Sequence, residues 1–179
     1  LLVVNGHIDD YRRYGRPYRM CPEVYYNEGD GRFSLQPGSE VGPYFTQQFL
    51  GRSLARWDWN RDGREDAVIS NLDQPAALLT NTTTPHGQSL SLRLRGTDSS
   101  RDAIGTTVVL HLDRLTISRQ LTAGDGYQAS NERRLVFGVP HAAVVKRIDI
   151  KWPSGKTDSC GDLEMGAEYL AIEGLERAF

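Results

Sequence analysis

The chain has 179 residues, 39% of them hydrophobic, enough for one sizeable domain or two small ones and too apolar for a disordered polymer. Its 21 basic and 23 acidic residues are scattered, not gathered in one block, and the net charge is -2, so no face for nucleic acid is expected. No apolar run reaches the roughly 18 to 20 residues of a membrane-crossing helix, and no basic-then-apolar signal peptide opens the sequence.

Leu1-Leu2-Val3-Val4 reads as the second half of a buried strand without an initiator Met, as expected of an excised fragment. Short β-type runs bounded by Gly, Pro, Asn and Asp follow, and no segment of twelve or more residues keeps a 3.6-residue apolar stripe. A mainly β protein is expected. In the first half the strands fall at Leu2 to Asn5, Glu23 to Tyr26, Arg32 to Leu35, Ser53 to Trp57, Ala67 to Asn71 and Ala77 to Asn81. Asn27-Glu28-Gly29-Asp30-Gly31 is a hairpin turn, because Gly29 and Gly31 can take the positive φ of a tight reversal.

The polar stretch Asn81-Thr82-Thr83-Thr84-Pro85-His86-Gly87 then marks a boundary near residue 86, dividing the chain into 1–85 and 86–179. Beyond it, Leu90 to Leu94 and Val144 to Trp152 alternate apolar with polar, as half-buried antiparallel strands do. Further strands are expected at Thr106 to Leu112, Thr116 to Thr122, Arg134 to Gly138 and Glu168 to Ile172. Six or so strands in about 90 residues suit a compact sandwich or barrel.

Between two first-half strands lies Asp58-Trp59-Asn60-Arg61-Asp62-Gly63-Arg64-Glu65-Asp66. Oxygen-bearing side chains occupy positions 1, 3, 5 and 9 as Asp58, Asn60, Asp62 and Asp66, with Gly63 at position 6. Calcium takes six to eight oxygens at about 2.3 to 2.6 Å, and alternate side chains of a tightly curled loop can meet at one centre. Gly63 supplies the bend, which frees the Arg64 carbonyl as a further ligand. Magnesium demands stricter octahedral geometry and keeps more of its water, so Ca2+ is the expected ion. Three carboxylates about 4 Å apart would repel by about 4 kcal/mol per pair at an effective dielectric of 20, a cost that a divalent cation removes. The loop lacks the bidentate Glu that closes an EF-hand, and strands flank it instead of helices. The plain reading is an Asp/Asn/Gly-rich turn without metal. Glu65 is expected to face solvent.

Other motifs carry less chemistry. His7 and Asp9 could approach a metal or substrate, although such clusters more often end a strand. His86, His111 and His141 have no marked nucleophile partner, so no catalytic triad can be named. Gly124-Asp125-Gly126-Tyr127 lacks the Lys and the following helix of a phosphate loop and reads as a turn anchored by Tyr127. Trp57 and Trp59 should share one face of a strand, in the core or at a contact between repeats. Cys21 and Cys160 are either two separate thiols or a disulfide joining the ends. Asn81-Thr82-Thr83 matches a glycosylation sequon.

Taken in order, these residues resemble the cartilage acidic protein family, in which FG-GAP/VCBS-type calcium repeats precede an ASPIC/UnbV domain. The first half matches through Val4-Asn5-Gly6-His7-Ile8, Tyr26 to Phe33, Gly51-Arg52-Ser53-Leu54-Ala55, the nonapeptide, Asn71-Leu72 and Leu78 to Asn81. Residues from about 88 to 173 match through Leu94-Arg95-Gly96-Thr97, Ser100 to Gly105, Gly124 to Tyr127, Leu135-Val136-Phe137-Gly138 and Ile150 to Gly155. Trp57 departs from the small Gly customary before the first Asp of the loop.

The resemblance implies that residues 1–85 are β-propeller-like repeats and 86–179 a small antiparallel β-sandwich or barrel. It also implies that Asp58, Asn60, Asp62, Asp66 and the Arg64 carbonyl hold calcium, and that the parent protein is exported: periplasmic, secreted or at the cell surface. Since closed propellers need at least four blades of about 40 to 60 residues, 85 residues can supply only a remnant. Its open blade edges would be covered by the second domain, by self-association or by rearrangement. The leading functional expectation is a non-catalytic calcium-stabilised module contacting protein or carbohydrate. The rival is part of a metal-dependent enzyme acting on a small molecule in natural-product biosynthesis.

Overall fold

The computed structural model describes residues 1–85 and 87–179 and is mainly β, so His86, at the expected boundary, lies outside the described residues. The chain forms two compact units. The first comprises Leu1–Ala55, Ala67–Thr80 and Gly126–Ala129, and the second comprises Arg56–Asp66, Asn81–Asp125 and Ser130–Phe179.

In the first unit, β1 (Leu2–Val3), β2 (Glu23–Gly29) and β3 (Arg32–Gln36) form one antiparallel sheet in that order. The β2–β3 hairpin turns where expected. Gly29, Asp30 and Gly31 all take positive φ, and a register shift between Asn27 and Gly29 marks a bulge. A short helix α1 (Gly38–Val41) and a 3-10 turn (Pro43–Thr46) follow, where no element is expected from the sequence. β4 (Gly51–Trp57), β5 (Asp66–Asn71) and β6 (Ala77–Leu79) make a second three-stranded sheet. The buried apolar side chains of this unit are Phe49, Leu50, Ala67 and Ile69 among the described residues. Phe49 stacks on Tyr44 with ring centroids 4.2 Å apart.

The second unit contains two larger sheets. β7 (Gly87–Arg95) is the centre of one, flanked by β10 (Leu135–Pro140) antiparallel and β13 (Glu168–Ile172) parallel. The other runs β12 (Thr157–Cys160), β11 (Val145–Lys151), β8 (Thr107–Leu112), β9 (Thr116–Gln120). Alternation along the strands decides which residues turn inward. Leu90, Leu92 and Leu94 of β7 join Leu135, Phe137 and Val139 of β10, while Val108 and Leu110 of β8 lie opposite Ile150 and Ile148 of β11. These side chains belong to a single buried cluster fed by both sheets. Trp152 closes it, its indole N–H donating to buried Asp158 at 2.7 Å. Among the described residues, none of the four sheets closes into a barrel.

Candidate functional site

The nonapeptide links β4 to β5 and lies within the second unit from Asp58 to Asp66. Two residues let it curl: Arg61 and Gly63 have φ of 59° and 82°. The positive φ favours glycine at 63, and a Cβ there would also lie 2.1 Å from the Ser89 hydroxyl of β7. The loop is therefore seated against the central strand of this unit.

Its acidic side chains organise its backbone. Asp58 and Asp66 are buried. Asp58 accepts N–H groups from Asp62 (3.1 Å) and Gly63 (2.9 Å), and Asp66 accepts from Trp59 (3.1 Å) and Asn81 (2.7 Å). Asn60 accepts the Asp62 N–H at 3.3 Å and Asp62 accepts the Arg64 N–H at 2.9 Å, two successive side-chain turns. The Asp62 carboxylate also takes the Asn60 amide at 2.7 Å and the Arg64 guanidinium, which donates in addition to the Asn81 carbonyl at 2.8 Å. Asn81, the residue of the sequon, is thus part of the loop's support; its own amide donates to the Glu65 carbonyl. Glu65 does not stand alone in solvent but pairs with Arg56 at 3.1 Å.

Asp58 has a partner that its sequence context does not announce. Arg134, at the entrance to β10 and almost wholly buried, donates to the inward Asp58 carboxylate and, at 2.8 Å, to Glu168. Glu132 lies 3.5 Å from the Arg134 Nε, which has no hydrogen-bond partner, and pairs with Arg61. Arg93 bridges Glu168 at 2.9 Å. The result is an alternating ionic chain through the second unit. Burial pushes the Asp58 pKa up, but the Arg134 guanidinium and the Gly63 and Asp62 N–H groups outweigh it and hold the carboxyl below the ordinary range. Burial likewise works against charge on Arg134, and Asp58, Glu168 and Glu132 reverse it.

The all-oxygen donor set of Asp58, Asn60, Asp62, Asp66 and the Arg64 carbonyl suits a hard cation. The lone-pair count leaves room for one: each Asp66 oxygen accepts a single N–H here, as do one oxygen of Asp58, one of Asp62 and the Asn60 amide oxygen. Among the described residues no three His, Cys, Asp or Glu side chains form a ready metal cluster, so the carboxylates are wired to backbone N–H groups and guanidinium groups instead of to one shared centre.

The remaining sequence candidates lie elsewhere. His7 packs edge-on against Tyr11, whose hydroxyl donates to Asp9 at 3.2 Å, within the first unit. Trp57 and Trp59 are not core residues; they are 42% and 45% exposed. The reason is the period of two: inward-pointing Asp58 stands between them and sends both outward. Tyr127 does not anchor its turn and is 65% exposed. Asp125 does that work, accepting from Asn131, Thr122 and Arg56. Both Cys21 and Cys160 are free thiols, and burial pushes the Cys160 pKa up. His111 donates or accepts at 2.7 Å with Asp149, which also takes the Ser159 hydroxyl at 2.6 Å.

Compared with known proteins, residues 96–177 match the family model described as ASPIC and UnbV. No curated protein matches the chain. Arg134, Glu132 and Glu168 fall inside the matched segment, whereas the nonapeptide precedes it.

Proposed function

Residues 96–177 of this chain match the ASPIC and UnbV family model, and from that match we propose that the chain is a calcium-stabilised, non-catalytic contact module of an exported protein, engaging protein or carbohydrate. In this reading residues 1–85 are a remnant of FG-GAP/VCBS-type propeller repeats, and the domain that follows is a small β-sandwich. Asp58, Asn60, Asp62, Asp66 and the Arg64 carbonyl would hold the ion, which supplies positive charge at the centre of the loop and no reaction step.

The observation that carries the reading is the wiring of the loop carboxylates. Asp58, Asp62 and Asp66 are fixed by backbone N–H donors from the loop and its neighbours yet retain acceptor capacity. That is the preorganisation a cation site needs, and it limits the entropy lost on binding. The wiring supports a structural role for the ion, because the loop carboxylates fix the turn that joins β4 to β5.

Calcium bound only to the folded chain stabilises it by about 2.7 kcal/mol at a hundredfold excess over Kd. A chelator should therefore lower the melting temperature, calcium should restore it, and Asp62→Ala should remove the difference. A melting curve indifferent to both chelator and calcium would sink the assignment.

A further inference from the structure

We propose that a cavity of about 350 Å3 in the second unit, lined by Arg93, Arg95, Arg101 and Arg133, binds a ligand carrying two oxyanion groups, carboxylate or sulfate. This names the ligand class for the contact role proposed above and rests on that reading.

Three separate segments bring the arginines together. Arg93 and Arg95 stand two residues apart on β7, so they share its exposed face about 7 Å apart along the strand, while Leu94 between them turns into the core. Arg101 is returned to the end of β7 by a tight loop, in which the Gly96 N–H donates to the Arg101 carbonyl at 3.2 Å. Only glycine fits at 96, since a Cβ would lie 2.2 Å from the Ser100 carbonyl. The loop is pinned from below: the buried Glu173 carboxylate accepts the N–H groups of Thr97, Asp98 and Ser99 at 2.7 to 2.9 Å. Arg133 is fixed by donating to the carbonyls of Thr122 and Ala123.

The charge in this cavity is only partly balanced from within. Two carboxylates, Asp102 and Glu132, face the four guanidinium groups. Glu132 lies 3.7 Å from Arg93 and is otherwise committed to Arg61, to the Asp58 N–H and to the neighbourhood of Arg134, so it leaves Arg95 and Arg101 uncompensated. Arg93 is held by Glu168, whereas Arg95 and Arg101 have no carboxylate partner among the described residues. Two unpaired planar donors at the two ends of a rigid loop are a ready bidentate receptor for carboxylate or sulfate, which match the guanidinium fork. Among the described residues no aromatic side chain lines the cavity, so none of them stacks on a nucleobase there. Its volume falls at the small-ligand end of the usual range.

The test is calorimetric titration of the whole chain, in low salt, with two probes: a disaccharide bearing one uronate and one sulfate, and free succinate as a dicarboxylate without the sugar. Binding of the disaccharide alone assigns the oxyanions to a saccharide; binding of succinate, with or without the disaccharide, assigns them to a small acid. Either result supports the site provided that Arg95→Gln and Arg101→Gln each weaken it by about tenfold and together by about a hundredfold. Arg114→Gln, at an arginine that is exposed and outside the cavity, serves as the charge control and should leave affinity unchanged. Binding of neither probe, or equal weakening by the control, overturns the proposal. Each titration is run with calcium and with chelator. Oxyanion binding that persists without any calcium response sinks the calcium reading alone, and a calcium response without oxyanion binding sinks this one alone.

Discussion

The two compact units spend their apolar residues differently. Among the described residues the second gathers sixteen buried side chains, most of them from two sheets, into one cluster, with Leu, Ile, Val and Phe on facing strands. In the first, Phe49, Leu50, Ala67 and Ile69 are buried beside Pro22 and Gly51 among the described residues, while Tyr26, Phe33 and Leu35 of its hairpin stand more than half exposed. Fully burying such a side chain contributes about 1.5 to 3 kcal/mol, so the second unit has the driving force of an independent domain and the first has little of its own. Both are built from strands of comparable length. The lesson is that strands alone do not make a domain; alternation that gives them an apolar face, and a second layer to cover it, do.

The comparison is broken most directly by emptying the larger core. Phe137→Ala, at a fully buried position on β10, should destabilise the second unit by about 4 kcal/mol, read as a fall in its calorimetric transition. Phe49→Ala should leave that transition in place and act only on the first unit. Hydrogen exchange should then show the slowest amides in β7, β8 and β11 and fast exchange along β2 and β3. One transition lowered equally by both substitutions would mean that the units unfold together, and the contrast drawn above would fail.

A somewhat smaller effect sharpens the contrast from the ionic side. The second unit also holds a buried charge pair, Arg134 with Asp58. Arg134→Met leaves Asp58 buried without its cation and should cost about 3 kcal/mol in the presence of chelator. If calcium shares Asp58 with the guanidinium, the loss measured by urea denaturation shrinks when calcium is added. A penalty identical in calcium and in chelator would show that no ion approaches Asp58.

Much of this was legible in the sequence, and the failures have a common cause. Strands such as β7, β8 and β11 announce themselves because one apolar residue in two faces a core, and the Asn27–Gly31 turn because glycine permits its positive φ. β12 escaped because Thr157-Asp158-Ser159-Cys160 shows no clear apolar alternation; its inward residues are Cys160 and the charged Asp158, the latter satisfied by the Trp152 indole and the Gly174 N–H. The nonapeptide is local and could be read, but its counter-charge could not. Arg134 sits in the run Glu132-Arg133-Arg134, which looks like a solvated end of a strand, and its partner is 76 residues away. Glu173 is hidden in the same way, since the three N–H groups it collects belong to a loop 74 to 76 residues earlier. Apolar period and turn chemistry are local signals; burial of a charge is a property of the pair.

Glu173 also provides the mildest test, one that separates an ionic clamp from plain packing. Burial raises its pKa, but the Ser154 hydroxyl, the Ser99 and Thr97 N–H groups and the Ser99 hydroxyl prevail and hold the carboxyl at about 2, against 4.5 for the free group. A depressed carboxyl pKa contributes stability that is complete above the unfolded value and is lost as pH falls through the folded one. The clamp should therefore be intact above pH 4.5 and weaken progressively toward pH 2. Asp149, held at about 2 by the Ser159 hydroxyl, Arg147 and His111, adds to the same acid limb. Glu173→Gln keeps the shape, and its amide can still present oxygen to the three N–H groups and nitrogen to the two hydroxyls. The cost should be no more than about 1 to 2 kcal/mol at neutral pH. What the substitution removes is the titration: the variant's stability should fall less steeply than the parent's between pH 4.5 and 2. Parallel acid limbs in the two proteins would mean that Glu173 contributes through its volume and not its charge. The second unit's advantage over the first would then rest on apolar burial and the Asp58–Arg134 pair without the Glu173 clamp.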